Sequence, residues 1–282
     1  MNALYLIAII LGVSGQNVLK KPYTQKNGQE GVFFFNGLLS GAALLFFVCT
    51  GSDLQFEWAV LPYAAAFAAA YATACVFLVL AVATGSLSLS SLLVSYSLML
   101  PAVYGLIFLG DPVTFGLIPG MILLMVSLLL INKREKNAKI SLKWVIFVTA
   151  AFVGNGMCTI VMNMQQMKFD GAYKNEFMIM ALMIVTAVMA VLCLCKERKN
   201  LKQYAKTGWL PASASGILNG MVNLFVMLLT GKMPISVMFP LISAGGLIVT
   251  YLVSKFVYKE KLTRLQFAGF VMGLAAVVFL NL

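Results

Sequence analysis

Residues 234–257 read PISVMFPLISAGGLIVTYLVSKFV, residues 258–264 read YKEKLTR and residues 265–282 read LQFAGFVMGLAAVVFLNL. Each apolar run is close to the ~20 residues a helix needs to cross a bilayer. The charged corner between them is too short to fold alone, so the segments predict a helical hairpin in a membrane. An offset of 149 residues repeats the arrangement without a gap: Asp111 falls on Glu260, Thr114 on Thr263, Gly120 on Gly269 and Asn132 on Asn281. Upstream, Pro62 falls on Pro211. Leucine matches between apolar helices carry little information. The weight rests on rarer residue types holding register and on the matching order of apolar spans. The repeat carries five spans, and an odd number inverts the second copy in the membrane, as in many transporters.

Composition agrees. Hydrophobic residues make up 61% of the 282 and charged residues 10%, against roughly a quarter charged in soluble domains. The excess apolar surface needs lipid, so the expected fold class is all-α: a polytopic membrane protein of ten transmembrane helices built as a 5+5 inverted repeat. The first apolar run, from Ala3, has full span length and no basic leader, so no cleavable signal peptide is expected. The net charge of +11 sits in loops between spans, which argues against a nucleic-acid partner. Five cysteines (Cys49, Cys75, Cys158, Cys193, Cys195) show no metal spacing, and there is no histidine. A Cys/His metal site is thereby excluded, and no cofactor is expected.

The ten spans are read as Ala3–Leu19, Gly31–Cys49, Trp58–Ala83, Ser86–Leu109, Val113–Ile131, Trp144–Val161, Phe177–Cys195, Trp209–Leu229, Pro234–Val257 and Leu265–Leu282. They divide into a first repeat over 1–132, a basic cytoplasmic linker over 133–143 and a second, inverted repeat over 144–282. Trp58, Trp144 and Trp209 stand at span starts, the interfacial position where an amphipathic ring is most stable. Of the 20 Lys and Arg, 17 fall after spans 1, 5, 7 and 9, and three (Lys168, Lys174, Lys232) fall on the opposite face. The positive-inside rule makes the first face cytoplasmic and puts both termini outside a plasma membrane. All nine acidic residues lie in loops or at span ends. Proton-coupled carriers commonly keep a carboxylate at membrane depth, so a simple carboxylate-based proton antiport is disfavoured and the coupling ion stays unassigned. Glu30, just before span 2, is the nearest candidate for such an acid, but a favourable charge near a helix N-terminus is the stronger reading of it.

Polar side chains inside the spans mark the candidate site. Span 1 contains Gly12, Ser14, Gly15, Gln16 and Asn17, and its repeat partner, span 6, contains Gly154, Asn155 and Gly156. Matched glycine-and-amide segments point to a transporter site if the helices are interrupted there. They point equally to close helix packing through small residues. Span 3 stacks Tyr63, Phe67 and Tyr71 at spacing four, and span 8 carries Asn219 and Asn223 at the same spacing, each set on one helical face. Asn36 and Ser40 in span 2, Ser88, Ser90, Ser91, Ser95, Tyr96 and Ser97 in span 4, and Ser243, Gly245, Gly246, Thr250 and Tyr251 in span 9 complete the polar load. Spans 5 and 10 are nearly featureless apart from glycines. From these we take Ser14, Gln16, Asn17, Asn36, Tyr63, Tyr71, Ser95, Tyr96, Asn155, Asn219, Asn223, Ser243 and Tyr251 as candidate solute-binding residues.

Ten spans as five plus five, an acidic corner after spans 4 and 9 and a Gly-rich last span resemble the drug/metabolite transporter superfamily, in its EamA-like ten-helix branch. The carriers are Pro240, Glu260, Gly269 and Gly273 in the closing hairpin and Pro101, Asp111 and Gly120 in the first half. The resemblance implies a bundle in which helices 5 and 10 support a central cavity lined by the other eight. It also implies alternating access with export, or sometimes uptake, of small organic metabolites. Two features depart from the family habit: charge places the termini outside rather than in the cytoplasm, and Asp111 stands where glutamate is more usual.

Three functions are weighed. The first is a secondary-active or facilitative transporter of a small neutral, zwitterionic or soft cationic metabolite, a monomer or weak homodimer in the lipid bilayer. A variant of it is specific for quaternary-ammonium or drug-like cations, held over Tyr63, Tyr71, Tyr96 or Tyr251 by cation–π attraction of about 2 kcal/mol when desolvated. The second, an intramembrane enzyme, lacks a nucleophile with a base or a metal cluster at membrane depth. The third is a non-transporting scaffold or partner subunit, which has no need of two matched glycine-amide segments.

Overall fold

Hydrocarbon offers no water to a peptide group, so a chain this apolar satisfies its backbone within helices. The computed structural model describes residues 2–27, 30–52, 54–84, 90, 93–131, 141–256 and 263–280. Among them there is no strand. The helices are α1 (Asn2–Asn27), α2 (Val32–Thr50), α3 (Leu61–Thr84, entered through the turn Trp58–Val60), α4 (Leu93–Phe108) and α5 (Leu117–Ile131). They continue as α6 (Leu142–Lys168), α7 (Lys174–Lys196), α8 (Leu201–Leu229), α9 (Ile235–Phe256) and α10 (Arg264–Leu280). Seven of them, α1–α3 and α6–α9, are long and apolar enough to cross a membrane, while α4, α5 and α10 are shorter apolar helices of 10–17 residues. Glu260, Asn132 and Asn281 of the repeat, Ser88 and Ser91 of span 4 and residues 133–140 of the linker lie outside the described residues.

Three helices run further than hydropathy suggests. α1 continues past Leu19 to Asn27 with Pro22 inside it, so Lys20, Lys21 and Lys26 sit on helix rather than in a loop. Polar packing extends it: buried Tyr23 donates to Gly31 O at 2.7 Å, and Asn27 Nδ2 donates to Thr207 Oγ1 at 3.0 Å. α6 likewise continues past Val161 to Lys168, and α8 starts at Leu201, eight residues before Trp209. The glycines of spans 1 and 6 do not interrupt their helices; α1 and α6 are continuous through them.

Contacts divide the chain into two compact units, Met1–Cys75 with Val161–Thr230, and Val76–Ile160 with Gly231–Leu282. Each unit therefore draws helices from both sequence halves. In the first, α8 packs against α1 and α2, and α2 packs against α7. Gly216 permits the α2–α8 approach, because a Cβ there would overlap the Leu39 carbonyl oxygen and lie 2.7 Å from Ala42 Cβ. Tyr23, Phe35, Leu39 and Ala212 form the adjoining core.

In the second unit α5 packs on α10, and α9 packs on α10 and α4. Glycines from both helices lie along the α5–α10 contact. A Cβ on Gly120 would lie 2.7 Å from Leu280 Cγ, and the Gly269 carbonyl accepts from Ser127 Oγ at 2.6 Å. Tyr96, Met99, Leu124, Leu128, Ala244 and Ala276 fill the core.

Three of the acids at span ends accept from backbone N–H groups of other segments, and a fourth from a tyrosine hydroxyl. Glu197, after α7, accepts from Phe33 N at 3.0 Å and Phe34 N at 2.7 Å, in the first turn of α2. Glu176, in the first turn of α7, accepts from Gln55 N at 2.9 Å. Asp111, after α4, accepts from Ser236 N at 2.9 Å in the first turn of α9. Glu30 accepts from Tyr204 at 3.0 Å.

Asp111→Ala should lower stability by about 1–2 kcal/mol, the usual cost of a lost helix N-cap, and Asp111→Asn, which keeps an acceptor, by less. Thermal unfolding in detergent reads both, and an unchanged midpoint for Asp111→Ala would refute the cap. Gly216→Ala should collapse folded yield. Gly41→Ala, where a Cβ meets only Thr186 Cγ2 at 3.8 Å, should be tolerated. Size-exclusion profiles distinguish these outcomes.

Candidate functional site

An amide inside an apolar helix must bond a neighbouring helix or its own backbone. α1 and α8 come close enough for this because of glycine. A Cβ on Gly12 would lie 2.6 Å from Val222 Cγ2, and one on Gly15 would lie 2.9 Å from Leu218 Cδ1. Gln16, one residue on, then reaches across. Gln16 Nε2 donates to Gly12 O at 3.4 Å, Asn219 Nδ2 donates to Gln16 Oε1 at 3.2 Å, and Asn223 Nδ2 donates to Asn219 Oδ1 at 3.0 Å. The spacing of four puts Asn219 and Asn223 on one face of α8, so the three amides form a ladder. All three are half-buried.

A second polar contact joins α2 and α3 in the same unit. Tyr71 donates to Asn36 Oδ1 at 3.1 Å, and Asn36 Nδ2 donates to Val32 O at 2.8 Å. The aromatic stripe on α3 is intact: Phe67 stacks with Tyr71 at 6.4 Å, Phe67 meets Phe177 edge-on at 5.8 Å, and Tyr63 meets Phe169 edge-on at 5.9 Å. Ser14 is buried and donates to Ile10 O at 2.8 Å, while Asn17 is exposed and apart from the ladder.

The second unit repeats the glycine-amide device. A Cβ on Gly156 would lie 2.5 Å from Leu100 Cδ1 and 3.0 Å from Ser97 O, and Asn155 Nδ2 donates to Ser97 Oγ at 2.6 Å. The tyrosines there are packing groups. Tyr96 is buried and donates to Met125 O at 2.6 Å, and buried Tyr251 stacks on Phe270 at 4.4 Å and 17°. Ser95 is exposed and Ser243 half-buried. The candidate residues thus fall into separate groups, and Gln16, Asn219 and Asn223 with Asn36 and Tyr71 carry the bonded polar contacts of the first unit.

Sequence reasoning missed several polar residues. Asn163, Gln165 and Gln166 are buried at the end of α6, past the assumed span end at Val161. Thr230 donates to Asn163 Oδ1 at 3.0 Å, and Gln165 Nε2 donates to Ala172 O at 3.2 Å. Thr186 of α7 donates to buried Ser40 at 3.0 Å. Ser127 on α5 was hidden in a span read as featureless. Trp144 is only 6% exposed and donates to Ser90 Oγ at 3.0 Å, unlike Trp58 and Trp209 at 82% and 60%. A hydrogen-bond partner outweighs the interfacial position at that site. Among the described residues no three His, Cys, Asp or Glu side chains gather as a metal site would need.

No family model matches the chain, and no curated protein matches it. A solved crystal structure, described only as that of a protein, is similar in fold. The TM-score is 0.79 with 12% sequence identity, over 99% of this chain and 95% of that one. At that identity the likeness concerns the fold alone, and it extends over nearly all of both chains.

The ladder predicts a measurable coupling. Gln16→Leu and Asn219→Leu should each destabilise, and the double variant should lose less than their sum. The expected coupling is about 0.6 kcal/mol, typical of hydrogen bonds between helices in membranes. Thermal unfolding of the four proteins measures it by double-mutant cycle, and additivity would show that the two side chains do not bond.

Proposed function

We propose that this protein is a multi-pass transporter of a small organic solute, crossing the membrane ten times in a 5+5 inverted repeat. It acts by facilitated or secondary-active alternating access. The observation that carries this is the Gln16–Asn219–Asn223 ladder: three half-buried amides bonded in series across two helices. Uncharged polar groups at such a depth are costly unless partnered. Packing of α1 on α8 needs at most one of them, since Gly12 and Gly15 already bring the helices together. Tyr71 and Asn36 supply a hydroxyl, an amide and a π-face on neighbouring helices.

The solute in this reading is neutral, zwitterionic or a soft organic cation, because the ladder carries no charged side chain. The protein is read as a non-enzyme in the plasma membrane, with both termini outside, acting as a monomer or weak homodimer. A non-transporting scaffold is the competing reading, and water separates the two. In a background lacking the native cysteines, Tyr71→Cys and Asn223→Cys should react with a membrane-impermeant thiol reagent in intact vesicles. Phe47→Cys, at a fully buried position, should not. Protection of positions 71 and 223 equal to that of position 47 would refute a transport pathway there. Under the same reading, Tyr71→Ala removes solute-induced thermal stabilisation while leaving folded yield unchanged. Undiminished stabilisation would take Tyr71 out of the site.

A further inference from the structure

Amides can turn over, but the ladder on α1 and α8 has one permitted polarity. Its foot is the Gly12 carbonyl, which can only accept. Gln16 must therefore present Nε2 to it, as it does at 3.4 Å, since the reversed amide would set oxygen against oxygen. That leaves Gln16 Oε1 to accept from Asn219 Nδ2 at 3.2 Å. Asn219 Oδ1 then accepts from Asn223 Nδ2 at 3.0 Å. The backbone of one helix thus fixes the orientation of three side chains, and the free end is the oxygen Asn223 Oδ1. Among the described residues it accepts no hydrogen bond, and Asn223 is half-buried in the apolar stretch MVNLFVMLL of α8. Asn36 shows the same polarity: its Nδ2 is committed to the Val32 carbonyl, and its oxygen is the outward group, accepting from Tyr71.

We infer that the transported solute is anchored through an N–H donor, a primary or secondary ammonium or an amide, at Asn223 Oδ1, and that quaternary ammonium compounds are poor ligands. The inference rests on the transporter reading and sharpens it. An ammonium N–H bonded to an amide oxygen is a charge-assisted hydrogen bond, among the stronger kinds. A quaternary nitrogen has no N–H to offer and would leave the oxygen desolvated without a partner, which costs more than the bond is worth. Cation–π attraction treats the two solute types nearly alike, so the ladder sets the preference. Each amide keeps a second N–H, so an acceptor elsewhere on the solute, such as a zwitterion's carboxylate, can also be met.

The test uses purified full-length protein and matched pairs differing only in N-methylation: ethanolamine and choline, glycine and trimethylglycine, benzylamine and benzyltrimethylammonium. Binding is read by calorimetry and thermal shift. At least one primary amine should bind about tenfold or more tightly than its quaternary partner, the scale of one charge-assisted hydrogen bond. Asn223→Leu should remove that margin, and Asn223→Asp, which keeps an acceptor, should retain it. The Asp variant also controls for a Leu variant that fails to fold. Equal or tighter binding of the quaternary members would overturn the inference. So would a margin that survives in Asn223→Leu, or silence across all three pairs. The thiol-accessibility result at positions 71 and 223 is independent of these outcomes. A wet pathway with any of them leaves transport standing and removes only the donor-anchored solute. A dry one removes transport itself.

Discussion

A polar group in hydrocarbon has no water to fall back on, and the placement of polar groups in this protein answers to that constraint. Helix starts are the weak points, since the first four N–H groups of each helix lack intrahelical partners. Two carboxylates meet part of that need on helices remote in sequence, Glu197 on α2 and Asp111 on α9, and a third, Glu176, accepts from Gln55 N in the chain leading to α3. Each ties two segments of one unit together, and each is a charged group bonded to backbone N–H, the stronger class of hydrogen bond. These three acids therefore serve architecture.

The same constraint sets the form of the candidate site. An amide at membrane depth is stable only if another helix lies within hydrogen-bond reach, and that reach depends on glycine. Gly12 and Gly15 bring α1 onto α8 so that Gln16 meets Asn219. Gly156 brings α6 onto α4 so that Asn155 meets Ser97. Close packing and polar contact are thus one device. Interrupted helices and tight packing are alternative meanings of a glycine-amide segment, and continuous α1 and α6 decide for packing here. The amides still bear on function, because bonding them in series leaves an oxygen at the end that the protein itself does not use.

The helical faces that carry several candidate side chains were legible from residue type and spacing. Asn219 and Asn223 at spacing four, and the Tyr63–Phe67–Tyr71 stripe, follow from helical periodicity alone and appear as read. Asn163, Gln165 and Gln166 were not legible as buried, because hydropathy falls at Val161 while the helix goes on to Lys168. Tyr96 and Tyr251 looked like their counterparts on α3. What separates them is a partner: the Met125 carbonyl and the Phe270 ring turn both into packing groups. Trp144 stood at a span start like the other two tryptophans, and only the position of Ser90 makes it a buried donor.

By itself, the sequence determined that the chain is helical and membrane-embedded, the order of its apolar helices, and which faces carry amides and aromatic rings. Those properties follow from local periodicity and from apolar excess, which need no knowledge of neighbours. Tertiary structure alone decided which helices pair, since each contact unit takes helices from both halves of the chain. It also decided that the glycines serve close approach and that Glu197 and Asp111 cap distant helices. The polarity of the amide ladder belongs with these. A hydrogen bond has a direction that composition does not encode; it is set here by a single backbone carbonyl, at Gly12, and passed to α8 only because the two helices touch.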